Sequence, residues 1–193
     1  MINTKSISFK LGLSFLLLTI IIEILLFSIL YFSLVNMRVN EEIRSLINRG
    51  NSHRDVLEKH FNDETIKHVA LMESEADTKV IVQAKNGEIL GISHPLDSVM
   101  KEHLFINKSH VKKNGTVIHT DWRNENYIST ISPIIINHST KGYVYMFLKT
   151  ESIQRLILRL KVIFLITMMV TFLITLIAIL YLSGRLTRPL IKM

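Results

Sequence analysis

Two long apolar runs, one near each end of the chain, frame a stretch where polar and apolar positions alternate over shorter periods. The first run, Leu11 to Val35, contains a single ionisable residue, Glu23; the second, Val162 to Ser183, contains none. About 20 apolar residues cross a hydrocarbon layer of ~30 Å as a helix. Both runs reach that length, the first with room for tilt. A helix with no polar face is out of place in a small soluble core. The pattern therefore predicts transmembrane helices at 11–35 and 161–183, a folded section between them at 36–160, a short tail at 1–10 and a terminal segment at 184–193. The first run exceeds the ~7–15 apolar residues of a signal-peptide core, and no small-x-small cleavage pattern follows it, so it reads as an uncleaved anchor.

Within the middle section the first elements read as helical. Val35, Val39, Ile43, Leu46 and Ile47 share one helical face, so the first membrane helix is expected to continue outward as far as Gly50, a residue suited to a helix end. Ser52 and Asp55 then fit a capping box for a fresh helix. A third helix is predicted from about Asn62 to Ala76, with Asp63 and Glu64 in the first turn, where the helix dipole favours acid.

The period then shortens. Lys79–Ala84 and Glu88–Ser93 are β-branched runs separated by Asn86-Gly87, which predicts a hairpin with positive φ at both turn positions. Residues 95–104 predict a short helix. Thr116–Thr120, Tyr127–Ile136 and Tyr143–Leu148 predict three further strands, with Gly115, Asn124 and Gly142 at or beside their turns. Helix resumes near Thr150, where Glu151 and Arg155 form a favourable i,i+4 pair. The fold class is α+β: two transmembrane helices flanking a domain with long N-terminal helices and a five-stranded antiparallel sheet.

Charge sets the expected orientation. Lys5 and Lys10 precede the first run, Arg185, Arg188 and Lys192 follow the second, and neither tail carries an acid. Basic flanks of this kind stay cytoplasmic, so both termini are expected inside and residues 36–160 outside, in a multi-pass cell-membrane protein. The middle section holds 17 Lys/Arg against 15 Asp/Glu. The formal net charge of +7 is thus mostly a topology signal and not a nucleic-acid footprint. The absence of cysteine fits a bacterial exported domain held by its own core.

Three groups of residues stand out chemically. Glu23 lies midway through the first span, where a charge costs ~2.5 kcal/mol or more, so it is expected to be neutral or partnered. Thr167, Thr171 and Thr175 form an i, i+4, i+8 stripe on the second span, and a hydrogen bond from this stripe to Glu23 inside a four-helix bundle of two chains is the favoured reading. All eight histidines fall in the middle section. Acid sensing and a metal stripe at His60, Glu64 and His68 compete with plain surface or turn roles, and the last is favoured; no metal site is expected. Finally, Asp121-Trp122-Arg123 and Tyr127 set the only tryptophan beside a cation and near His119. They read either as lining of a ligand pocket or as a hairpin corner with a cation–π contact. No nucleophile–base pair, carboxylate dyad or metal motif supports an enzyme.

The run Asn86-Gly87-Glu88-Ile89-Leu90-Gly91-Ile92-Ser93-His94-Pro95 is similar to a strand-turn-strand of carboxylate-sensing histidine kinases that also ends in Ser-His-Pro. Ser132-Pro133-Ile134 and Gly142 resemble the closing half of the same fold. Over roughly residues 36–150 the chain thus resembles the PAS-like single Cache domain, the extracytoplasmic sensor of bacterial receptors. That resemblance implies a small extracellular ligand, with His94 near it and with His119, Trp122, Arg123 and Tyr127 as further candidates. Gly91 stands where the carboxylate-sensing group has an arginine, which argues against a di- or tricarboxylate. Gly184 to Met193, with Arg188-Pro189, resembles the start of a HAMP linker, and Pro189 would end one helix and let another begin in its own register.

Taken together, these resemblances imply the input module of a two-component sensor histidine kinase. Such a module sits in the lipid bilayer as a homodimer and signals to a response regulator, while ATP and Mg act in the parent kinase and no cofactor is held by this chain. The alternatives are the sensor part of a chemoreceptor or diguanylate cyclase, or a stand-alone truncated membrane protein that pairs with full-length receptors.

Overall fold

In the computed structural model the described residues are 7–187, with side chains at 10 and at 12–181. Four α-helices and a five-stranded antiparallel sheet follow in the order α1 (Ile7–Lys59), α2 (Asp63–Ser74), β1 (Thr78–Ala84), β2 (Ile89–Ile92), α3 (Ser98–Leu104), β3 (Thr116–His119), β4 (Tyr127–Ile136), β5 (Ser139–Lys149) and α4 (Thr150–Thr187). A short 3-10 turn, Lys108–His110, lies between α3 and β3. Arg188 and Pro189, expected to open a linker, lie outside the described residues.

The chain divides into two compact units: Met37–Leu156, and α1 up to Asn36 together with α4 from Ile157. In the second of these, both helices are long and apolar enough to cross a membrane, with mean hydropathy of 2.7 and 2.9 in their most apolar windows. Their side chains point outward rather than into a core: Ile21 and Phe32 on α1, and Ile174 and Ile177 on α4, are each 60% exposed or more. Between the two helices, the Phe164 ring meets Phe27 edge-on at 6.1 Å and Tyr31 at 5.7 Å. About two turns beyond Phe164, the Thr171 hydroxyl donates to a side-chain oxygen of Glu23.

The other unit is built on the sheet, in strand order β2-β1-β5-β4-β3. Alternation sorts its side chains onto two faces. Val80 and Val82, Val144, Met146 and Leu148, and Ile128 and Ile134 occupy one face, almost all of them fully buried. α1 crosses this face. Gly50, expected to end a helix, instead lies inside α1: a Cβ there would sit 3.0 Å from Met146 Cγ and 3.3 Å from Ser132 Oγ. The residue serves close helix–sheet packing rather than termination. Likewise Ser52 caps no new helix; its hydroxyl donates back to Asn48 O at 3.0 Å, within α1. Beyond Gly50, Asn51 Oδ1 accepts from Ser132 Oγ at 2.9 Å. Glu58 Oε1 accepts from Ile135 N at 2.7 Å, at the bulge where β4 slips against β5.

α1 stops at Lys59, and α2 starts where its sequence signals place it. Asn62 caps it, with Oδ1 accepting from Thr65 N at 2.8 Å, and Asp63 and Glu64 fill the first turn. His60 falls in the break, off the helix that carries Glu64 and His68. At the far end of α2 the Glu73 carboxylate is fully buried. It accepts from Arg49 Nε at 2.5 Å, from His53 Nε2 at 2.6 Å and from the Thr78 hydroxyl, tying α1, α2 and β1 to one charge.

The turns differ from the expected pattern in an instructive way. Asn86-Gly87 does join β1 to β2, but only Gly87 has positive φ, at 93°. Gly87 N donates to Ala84 O and Ala84 N to Glu88 O, which makes a three-residue loop with glycine in the left-handed position. The turn with two left-handed residues is Asn137-His138, φ 51° and 59°, between β4 and β5. Because β5 therefore begins at Ser139, Gly142 is a mid-strand residue and not a turn residue. It lies opposite Ala84 and Ile134, and a Cβ on it would stand 2.5 Å from Gln83 O. That obstacle is backbone in the middle of the sheet, so Gly142→Ala is expected to lower stability by about 1–3 kcal/mol, as overpacking does. Denaturant unfolding in detergent micelles, followed by fluorescence of the single Trp122, checks this; an unchanged midpoint would refute it.

Candidate ligand-binding face of the sheet

The sheet face opposite α1 is chemically different. In β1, β4 and β5 the alternate positions are Lys79, Ile81 and Gln83; Tyr127, Ser129 and Ile131; and Tyr143, Tyr145 and Phe147, aligned by register (Lys79 opposite Phe147, Ile81 opposite Tyr145, Gln83 opposite Tyr143). α3 covers part of this face, with Met100 and Leu104 packed on Ile81, Tyr127, Ile131, Tyr145 and Phe147. α3 itself is short and begins at the Asp97 cap, whose Oδ1 accepts from Met100 N at 2.8 Å.

The polar groups on this face form two clusters. In the first, Lys79 Nζ donates to Tyr127 OH at 2.8 Å and lies 3.9 Å from Asp97 Oδ2. Burial, together with the neighbouring Asp97 carboxylate, pushes the Tyr127 phenol up to about 12. Next to it Phe147 stands edge-on to Tyr127, and His103 stacks between Phe147 and His119. His103 Nδ1 pairs with Ser129 Oγ at 2.8 Å, and burial, aided by His119, pulls its pKa below the ordinary histidine range. His119 Nε2 is buried without a hydrogen bond, 3.9 Å from Glu125 Oε1.

The second cluster borders a cavity of about 600 Å³ between α3, the segment after it and the β1–β2 hairpin. Leu104, Ile106 and Ile89 form apolar walls, and Gln83, Lys101 and Lys108 bring polar groups. Gln83 is held by three partners: Nε2 donates to Gly87 O at 2.9 Å, while Oε1 accepts from Tyr145 OH at 3.1 Å and from Lys108 Nζ at 2.8 Å. Lys108 also lies over the Tyr143 ring, 4.9 Å from its centroid, and burial pulls its pKa below the ordinary lysine range.

The residues singled out in the sequence are distributed over this unit as follows. Tyr127 and His119 belong to the first cluster. Trp122 and Arg123 sit in the turn before β4, the guanidinium 4.8 Å from the indole, and Asp121 organises that turn by accepting from Arg123 N at 3.1 Å. Trp122 O accepts from Gln154 Nε2 at 3.0 Å, so the turn fastens the start of α4; neither Trp122 nor Arg123 borders the cavity. His94 Nδ1 lies 3.0 Å from Ser93 Oγ, which in turn accepts from Val80 N and prolongs the β1–β2 pairing. Gly91 faces α2, where a Cβ would meet Ile66 Cγ2 at 2.5 Å. Among the described residues no three His, Asp or Glu side chains gather as metal ligands.

Gln83, Lys101 and Lys108 were not marked out by sequence reasoning. The alternation of β1 does place Gln83 beside Lys79 and Ile81 on one face. Lys108, by contrast, lies in an irregular segment whose position no local period encodes. Against protein-family models, curated proteins and solved structures, the chain matches none.

Proposed function

We propose that this chain is the sensory input module of a bacterial membrane receptor, of the sensor histidine kinase type, with a PAS-like single Cache domain outside the cytoplasm. On this reading α1 and α4 cross the membrane, both termini are cytoplasmic, two copies pair, and a small extracellular ligand occupies the polar-lined face of the sheet. A HAMP-type linker would carry the signal to a kinase that uses ATP and Mg and phosphorylates a response regulator.

The observation that carries the proposal is the join between β5 and α4. β5 brings Tyr143, Tyr145 and Phe147 to the ligand face and ends at Lys149; α4 begins at Thr150 with no loop between them. The first turn of α4 is fastened as well: Thr150 Oγ1 donates to Glu125 O at 2.6 Å and Thr150 N to Asn126 O at 3.0 Å. A ligand that favours one arrangement of this face thereby biases the start of α4, and a two-state shift needs only such a differential interaction. The Glu23–Thr171 hydrogen bond would couple α4 to α1 at mid-membrane, where a polar contact has little competition from water.

Because the chain has no cysteine, single cysteines test the topology cleanly. In intact cells a membrane-impermeant maleimide is expected to label Glu64→Cys and Lys85→Cys, and to label Lys10→Cys only after permeabilisation. The reverse pattern would overturn the proposal. Reading the gene beyond the Met193 codon distinguishes a kinase output from that of a chemoreceptor or diguanylate cyclase.

A further inference from the structure

The two lysines on the ligand face have unequal surroundings. Lys79 is satisfied: its ammonium has the Tyr127 hydroxyl and the Asp97 carboxylate. Lys108 has an amide oxygen and two aromatic faces, the Tyr143 and Tyr145 rings at 4.9 and 5.9 Å, but among the described residues no carboxylate pairs with it. Lys101, on the same cavity, has no ion-pair partner among them either. No residue that borders the cavity is acidic.

Gln83 Oε1 already accepts twice, from Tyr145 and Lys108, so both its lone pairs are used. Between them, Gln83 and Lys108 are left with donors: the other ammonium hydrogens of Lys108 and the second amide hydrogen of Gln83. A half-buried ammonium facing donors and apolar walls is an incomplete arrangement, since charges withdrawn from water are normally paired. Ile89, Leu104, Phe105 and Ile106 form the apolar part of the lining, which Asn107 and Lys101 complete. Phe105 at its edge is 88% exposed, a large ring left in solvent where it meets the opening. The volume, about 600 Å³, is that of a small-molecule site.

We infer that this cavity binds a small monoanion with an apolar body, the anionic group on Lys108 and the Gln83 amide and the body against Leu104, Ile106 and Phe105. One lysine is built into the wall, and Lys101 is exposed. The single ammonium built into the wall matches a single anionic group. The inference rests on the reading of this face as the ligand site of a sensor, and it specifies the ligand's chemistry.

The test uses the full chain in lipid nanodiscs and three probes: isovalerate, its neutral isostere isovaleramide, and the dianion succinate. Binding is read by calorimetry and by the thermal midpoint at millimolar probe. Isovalerate is expected to bind and raise the midpoint, and isovaleramide to bind at least about ten-fold more weakly, since the neutral amide offers the Lys108 ammonium no charge. Lys108→Gln is expected to bring isovalerate down to the level of the amide. The comparison of acid and amide in the unmodified chain needs no variant, so it stands even if Lys108→Gln does not fold. Equal affinity for acid and amide would overturn the anion assignment while leaving a ligand cavity. Tighter binding of succinate would overturn the monoanion. Binding of none of the three would overturn the inference as a whole. Failure of the sensor reading itself shows separately, as the reversed maleimide pattern.

Discussion

Replacing Glu73 by alanine is expected to lower the stability of the Met37–Leu156 unit by about 3–5 kcal/mol, the usual cost of removing one partner from a buried ion pair. The carboxylate is fully buried and holds Arg49, His53 and Thr78 together. Without it the buried His53 faces a void, the half-exposed Arg49 is released to water, and the contact of α2 with β1 loses its polar centre. The pH dependence offers an independent check. Burial by itself would raise the Glu73 pKa, but the hydrogen bonds from His53, Thr78 and Arg49 and the Arg49 charge outweigh it and hold the carboxyl at about 2, below its ordinary 4.5. A depressed folded-state pKa means that the stabilisation is complete above about pH 4.5 and is lost as pH falls through about 2. Its size is about 3 kcal/mol. Urea midpoints of the chain in micelles, read by Trp122 fluorescence, are expected to fall steeply across that window in the unmodified chain. In Glu73→Gln that part of the slope should vanish. Equal slopes in both would refute the assignment.

Phe147→Ala is expected to be comparably damaging, by about 3–5 kcal/mol, because the ring is fully buried and the space it leaves cannot refill. Phe147 lies on the sheet face opposite α1, with Tyr127 edge-on at 6.0 Å and His103 stacked at 6.1 Å. Deleting it therefore also removes the wall against which both polar residues are oriented. Phe147→Leu restores most of the volume without the ring and is expected to cost clearly less. If leucine were as damaging as alanine, the loss would lie in the aromatic contacts rather than in the cavity; the same unfolding measurement separates the two.

The two faces of the sheet differ in their polar residues. The α1 face is apolar apart from small hydroxyls, of which Thr78 and Ser132 bond to Glu73 and Asn51. The opposite face carries Lys79, Gln83, Tyr127, Tyr143 and Tyr145 at positions where a purely structural sheet would carry aliphatic residues. Lys79, Gln83, Tyr127 and Tyr145 are hydrogen-bonded, and Tyr143 lies under the Lys108 ammonium. They are therefore oriented, and one of them, Gln83, borders the cavity beside α3.

Much of this architecture is local and was legible in the residues themselves. Uninterrupted apolar runs mark the two long helices, Asn62-Asp63-Glu64 marks the start of α2, and β-branched alternation marks the five strands; each depends only on neighbours a few positions apart. Three features were decided by the tertiary structure. Gly50 carries the signal of a helix end, yet the helix continues because the sheet side chain Met146 needs that space. Gly142 looks like a turn residue but sits mid-strand, because the turn is made by Asn137-His138 and the neighbouring backbone leaves no room for a side chain. Glu73 with Arg49 and His53, and Gln83 with Lys108, meet across about 20 to 25 residues of chain. Local periodicity assigns a residue to a face; which distant residue stands opposite it depends on strand register and on how the helices pack.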